Sequence, residues 1–412
     1  MQNQQVGRYN RSRLFFASCL SLVTAAMVFS IRTDIMDPLR DHFQVNNELI
    51  GAAAGLAFLG FAASIFIGSP LCDWLGMRML LGLACLLHIS GVLLTIFAPS
   101  YDVLRVSMLL VGLAHGLVEA VINPLIATIY ADEKTHKLNV LHAWWPGGLI
   151  VGGLIAYALT QLGLDWKVKM GVILIPAVVY GLMIVGQRFP ATERVASGVS
   201  TGDMFKEVFR PMFLLLAISM LLTAATELGP NQWMESVLKQ TANTPGILVL
   251  VYISGLMFVL RFFAGPIAHK ISPIGILLGS SVLSAIGLFA LSYAGNALTA
   301  FAAATVFGVG VCYYWPTMLG VTSEQFPKGG ALLLGIMGTM GNLSIYFVLP
   351  IMGKIYDKYG AAMAFRYVAV VPVVLIAIFG AMFAYYKARG GYRAARIGEE
   401  KYVEEAKKIA TT

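Results

Sequence analysis

The chain has 412 residues, of which 58% are hydrophobic and only 12% charged. A soluble domain carries about 25% charged residues, so a mean hydropathy of +0.77 over the whole length excludes an ordinary soluble enzyme, and it excludes disorder, which needs low hydrophobicity and high charge. Four cysteines, Cys19, Cys72, Cys85 and Cys312, lie in or beside apolar segments without metal-ligand spacing, which excludes a disulfide scaffold.

A polytopic membrane protein remains. A spanning helix needs about 20 apolar residues, and the sequence predicts twelve such segments: 13–36, 47–69, 79–98, 102–130, 138–162, 168–187, 209–236, 246–269, 272–294, 297–325, 330–354 and 362–387. They are apolar all round rather than alternating, which selects helices over barrel strands. Arg8, Arg11 and Arg13 precede the first run as they would in a signal peptide. Ile31-Arg32-Thr33-Asp34 follows it instead of a small-residue cleavage site, so the first segment is read as an uncleaved helix.

The longest polar stretch between spans is 188–208, and it separates six spans from six. The expected organisation is a six-helix bundle over 1–187, a cytoplasmic linker at 188–208, a second bundle over 209–387 and a charged cytoplasmic tail at 388–412. The halves echo each other. Gly68-Ser69-Pro70-Leu71-Cys72-Asp73-Trp74-Leu75-Gly76-Met77-Arg78 follows the second span and Gly265-Pro266-Ile267-Ala268-His269-Lys270 follows the eighth; Asn123-Pro124-Leu125 is mirrored by Trp315-Pro316-Thr317. The fold class expected is therefore an all-α membrane protein with twelve transmembrane helices in two pseudo-symmetric six-helix bundles and a solute site between them near the midplane. Lys and Arg gather on the cytoplasmic side of a membrane protein. With the N-terminus inside, nineteen fall inside and eight outside, Lys167 and Lys169 among the latter. Both termini are therefore expected in the cytoplasm.

Ionisable residues within spans are costly and mark functional sites by default. Five stand out: Arg32, Asp34, Glu119, Glu227 and Arg261. Glu119 lies about 25 Å along the helix from Asp102 and about 16 Å from Tyr130, near the middle of its span. His115, Glu119 and Asn123 follow at i, i+4 and i+8, a polar row able to bind a proton or hold a solute, or to make a structural contact between helices. Asp34 is about 31 Å from Arg13 and falls at the outer rim unless the first helix runs on towards Phe43. Arg32 could pair with Asp34 or Glu119. Glu227 opens Glu227-Leu228-Gly229-Pro230-Asn231-Gln232-Trp233, where Gly229 and Pro230 predict a break that exposes a cavity lining of Asn231, Gln232 and Trp233; an interfacial Trp belt is the alternative. Arg261 is either a partner of Glu227 or an anion hook. His142 and Trp145 in span five, Tyr313 and Tyr314 in span ten and Asn342 in span eleven complete the candidate solute lining.

Gly68, Asp73, Gly76 and Arg78 between spans two and three resemble the signature loop of the major facilitator superfamily, with Trp74 where that loop usually carries a basic residue. The loop reads as a tight turn of about four residues, with Gly76 supplying backbone freedom, Asp73 a helix cap and Arg78 a bridge to the other half; these four are the gating candidates. Thr33-Asp34-Ile35-Met36-Asp37-Pro38, Glu119-Ala120-Val121-Ile122-Asn123-Pro124 and Leu138-Asn139-Val140-Leu141-His142 are similar to stretches of the fucose:proton symporter branch. That resemblance implies Asp34 and Glu119 as acids coupled to substrate and proton, with His142 where that branch has an amide.

The function expected is a secondary active transporter that moves a small polar solute, a sugar foremost, by alternating access with proton coupling through Asp34, Glu119 or Glu227. The alternative is an organic-anion or drug carrier using Arg32 and Arg261; a non-transporting receptor on the same fold is a third. There is no nucleotide loop and no HExxH, so an enzyme is not expected. Expected partners are a small-molecule solute, protons and the lipid bilayer, with no nucleic acid, no metal and no cofactor. The protein is expected as a monomer in a bacterial inner membrane.

Overall fold

The computed structural model describes residues 9–130, 134–190, 206–261, 271–326 and 330–393, apart from a few side chains within helices, those of Asp73 and Asn139 among them. The described residues contain fifteen helices and no strand. In chain order these are α1 (Arg11–Phe43), α2 (Asn47–Leu75), α3 (Met77–Ile96), α4 (Tyr101–Ile129), α5 (Lys134–Gln161), α6 (Trp166–Val172) and α7 (Leu174–Ile184). The second half follows with α8 (Pro211–Ala242), α9 (Gly246–Arg261), α10 (Pro273–Leu291), α11 (Ala297–Val311), α12 (Tyr314–Gln325), α13 (Gly330–Tyr359), α14 (Ala361–Val368) and α15 (Val370–Ala388). Three spans are each two helices in line: α6 with α7, α11 with α12, and α14 with α15. Among the described residues eleven spans are long and apolar enough to cross a bilayer. The twelfth segment is α9, described for 16 residues up to Arg261. The echo at 265–270, the centre of the linker and the tail from 394 lie outside the described residues.

Short polar loops set the helix starts. Asn10, Asn46, Ser100, Asp165, Ser272 and Asn296 each place a side-chain oxygen on a first-turn N–H of the helix that follows, satisfying donors that have no partner inside the helix. Gln44 and Asn243 close α1 and α8 in the left-handed conformation, with φ of 52° and 46°.

Two expectations change here. The turn after span two is a single residue, Gly76 at φ +81°, because α2 continues to Leu75. Gly68 therefore lies inside α2, packed on Leu117 and Ala120 of α4, and Arg78 is exposed on α3. The predicted break at Gly229-Pro230 is also absent: α8 runs through Pro230 as one helix of 32 residues. Membrane helices tolerate proline where neighbouring groups satisfy the freed carbonyl.

Helices α2 and α4 approach through glycine. A Cβ on Gly112 would overlap the Ala57 carbonyl, and one on Gly116 would overlap Ser64 and the Phe61 carbonyl. Both obstacles include backbone, so relief requires the helices to part. Gly112→Ala is expected to cost about 1–3 kcal/mol, as overpacking does, read as a lower melting temperature of the purified protein. Gly82→Ala, at a position with open space around it, should leave that temperature unchanged.

The halves meet at the end opposite the termini, here the distal end. Gly51 and Gly55 of α2 lie against Leu349 and Tyr346 of α13, Gly353 lies against Asn47, and Gly153 of α5 lies against Ile247 and Val251 of α9. One buried core holds residues of both halves, including Ile35, Ile50, Trp233, Ile247 and Leu349. The terminal end of the first half has a separate core, including Leu14, Leu80, Ile122 and Tyr180. Apolar packing thus fastens the bundles at the distal end.

Candidate functional site

Glu119, Asn123 and His142 form a continuous polar chain. Asn123 Nδ2 donates to Glu119 Oε2 at 2.9 Å, and Asn123 Oδ1 lies 2.9 Å from His142 Nε2. The first contact is the i, i+4 pair of one helix face; the second ties α4 to α5. All three residues are half-buried. One turn beyond His142, half-buried Trp145 meets the Phe29 ring edge-on at 6.3 Å. His115 leaves the row. Each i+4 step advances about 40° around a helix, and His115 turns into the packing of the first half, 5.0 Å from the His88 ring and 5.9 Å from Phe61.

Where α1 crosses α8, Arg32 Nε donates to Gln232 Oε1 at 2.9 Å and Gln232 Nε2 donates to Thr33 Oγ1 at 2.8 Å. Arg32 and Gln232 are both buried, and the guanidinium lies 5.0 Å from the Phe58 ring centre and 5.7 Å from that of Phe29. Arg32 Nη1 and Asn231 Oδ1 are buried without a hydrogen-bond partner. Trp233 is fully buried with its ring 5.8 Å from Tyr356 and its edge against Gly51, so it belongs to the distal core and not to a membrane-surface belt.

Asp34 is not a rim carboxylate. Because α1 extends to Phe43, Asp34 is buried, and Lys169 Nζ donates to its Oδ2 at 2.6 Å and to Thr160 Oγ1 at 2.7 Å. The partner is Lys169, which the sequence counted on the outer side at the start of span six, and neither Arg32 nor Glu119. Nothing local in the sequence marks this pair, whose members are 135 residues apart.

In the second half, Glu227 is buried one helical turn before Asn231. Half-buried Arg261 donates Nε to the Cys312 carbonyl at 3.3 Å. Tyr313 caps the Leu260 carbonyl at 2.9 Å, Tyr314 is fully buried with its hydroxyl 2.7 Å from Ser284 Oγ, and Asn342 Nδ2 donates back to Gly338 O at 2.9 Å. These tyrosines hold helices together. The helix that carries Asp73 is described, its side chain is not. Among the described residues no cluster of His, Cys, Asp or Glu could hold a metal ion.

Two helical bundles fastened at one end, with polar side chains of both halves along the seam, define a membrane carrier. The Major Facilitator Superfamily family model matches residues 14–331 and 231–409, and the chain belongs to that superfamily. It is similar to the protein TsgA homolog of Buchnera aphidicola subsp. Baizongia pistaciae, 21% identical over 368 residues that cover 85% of this chain and 91% of that one. It is also similar to the galactose-proton symporter of Escherichia coli K12, 26% identical over 189 residues, 44% of this chain and 39% of that one. The fold matches a solved D-xylose-proton symporter at a TM-score of 0.75 and 14% identity, covering 89% of this chain and 97% of that one. It matches the nucleoside transporter NupG at 0.70 and 14%, covering 90% and 98%. Family and fold are those of multi-pass membrane transporters and not of enzymes.

Proposed function

We propose that the protein is a secondary active transporter that moves a small polar solute, a sugar foremost, by alternating access coupled to protons, in the manner of the fucose-symporter branch. The observation that carries this reading is the half-buried chain Glu119–Asn123–His142. It offers one titratable carboxylate beside an amide and an imidazole, next to the flat face of Trp145. Protonation of Glu119 removes a charge whose desolvation opposes closing the site. Similarity to a galactose-proton symporter supports both the solute class and the coupling ion. With both termini in the cytoplasm of a bacterial cell, the distal end, closed by packing between the halves, faces outward. The carrier works as a monomer.

Reconstituted vesicles test the assignment. Glu119→Gln should abolish proton-driven accumulation of the solute while leaving counterflow exchange within about twofold of wild type, since binding and rocking persist without the titration. Accumulation that survives the substitution assigns Glu119 a structural role. The organic-anion alternative rests on Arg32 and Arg261. These sit on different halves with separate partners, Gln232 and the Cys312 carbonyl, so they do not form a paired anion clamp in this state.

A further inference from the structure

We propose that Arg32 is a recognition group for an anion on the transported solute, so that the preferred substrate is a sugar acid or similar polyhydroxy carboxylate and not a neutral sugar. The proposal rests on the transport reading above and deepens it.

The charge accounting of α1 carries the argument. Arg32 and Asp34 lie two residues apart, and such residues do not face each other on a helix. Asp34 turns to Lys169 and is neutralised there. Arg32 turns to the seam, 2% exposed, and finds only a neutral acceptor, Gln232 of the other half. Its Nη1 has no partner, and among the described residues no carboxylate stands within ion-pair distance. Two aromatic rings flank the guanidinium and offset only part of its desolvation. An ion buried this deeply without a counter-charge is costly to the fold. A solute that brings the missing anion removes that cost.

The position fits. A series of neighbours leads from the proton chain to this residue: Glu119 to Asn123, Asn123 to His142, Trp145 one turn further along α5, then Phe29, then Arg32 and Gln232. A sugar ring on Trp145 therefore has the carboxylate chain on one side and the guanidinium on the other. Asn231 Oδ1, on the residue before Gln232 in α8, is a buried acceptor without a donor. A guanidinium presents a planar fork that matches a carboxylate in two parallel hydrogen bonds, and such charge-assisted bonds are about twice as strong as neutral ones. The anion thus displaces Gln232 from Arg32, loosening a hydrogen bond that joins the two halves.

The test uses the purified full chain with D-glucuronate and D-galacturonate as probes, each against its neutral parent, D-glucose or D-galactose. Thermal shift gives apparent affinity and counterflow in vesicles gives exchange. In wild type the acids should bind at least about tenfold more tightly than their parents, a preference that one charge-assisted contact supplies. Arg32→Gln should erase the preference, so that acid and neutral parent give the same response when compared within that variant. Arg32→Lys keeps the buried charge but loses the fork, and should retain a reduced preference; it guards against misfolding of the first variant. Equal response to acid and parent in wild type, no response to either acid, or an acid preference that survives Arg32→Gln overturns the proposal. Failure of the transport reading looks different: neither charged nor neutral probes exchange in counterflow.

Discussion

Lys169→Met should destabilise the protein by about 3–5 kcal/mol, the usual cost of removing one member of a buried ion pair. The side chains of Lys169 and Asp34 are 6% and 3% exposed, with 2.6 Å between Nζ and Oδ2. Lys169 also donates to Thr160 at 2.7 Å, so one ammonium joins α1, α5 and α6. Methionine fills a similar volume and supplies no charge, which leaves the Asp34 carboxylate buried and uncompensated. The double variant Asp34→Asn with Lys169→Met should recover most of the loss, because a pair replaced as a unit is close to neutral. Melting temperature in detergent measures both. An unchanged melting temperature for Lys169→Met would mean that the pair does not hold α1, α5 and α6 together. The double variant also separates two roles for Asp34. If it accumulates solute normally, the pair is structural; if it is stable but only exchanges, Asp34 takes part in coupling.

The span pattern was legible because hydropathy alone fixes it: each expected span coincides with one helix or two in line, with α9 described as far as Arg261. Boundaries drifted where polar residues sit inside long helices. The first span was expected over 13–36, with a run-on towards Phe43 as the alternative, and α1 holds its helix to Phe43. That extension is what buries Asp34. The Glu119–Asn123 contact was readable because both residues lie on one helix at i, i+4. The contacts that matter most between elements were not, since nothing local distinguishes Lys169 from Lys167 or matches Gln232 to Arg32. The same limit applies to Trp233 and Tyr314, whose aromatic character suits a cavity wall as well as the core they occupy.

Asp357→Ala is expected to shift the resting population toward the state open at the distal end, by about tenfold or more. Asp357 belongs to α13 in the second half, yet it caps the N-terminus of α2 in the first. Its Oδ1 accepts from the Asn47 backbone N–H at 3.2 Å and from Asn47 Nδ2 at 2.7 Å, and its Oδ2 accepts from the Glu48 N–H at 2.9 Å. Arg40 Nη1 braces the same Asn47 at 3.1 Å and Asp37 at 2.9 Å. A carboxylate at a helix N-terminus meets both unpaired donors and the positive end of the dipole, and hydrogen bonds to charged groups contribute about 1.5–3 kcal/mol. Because the cap lies between halves, that energy belongs to the closed distal state alone and vanishes when α2 and α13 part; 1.4 kcal/mol is already a factor of ten in population. Spin labels at Leu162 and Leu298, both exposed at the distal end with one on each half, report the change as a longer distance that gains weight in Asp357→Ala. Asp357→Asn keeps one acceptor oxygen and should give an intermediate shift. A cap that served only local stability would lower the melting temperature and leave the distance distribution untouched, whereas a latch between states moves the distribution at any temperature at which the protein is folded.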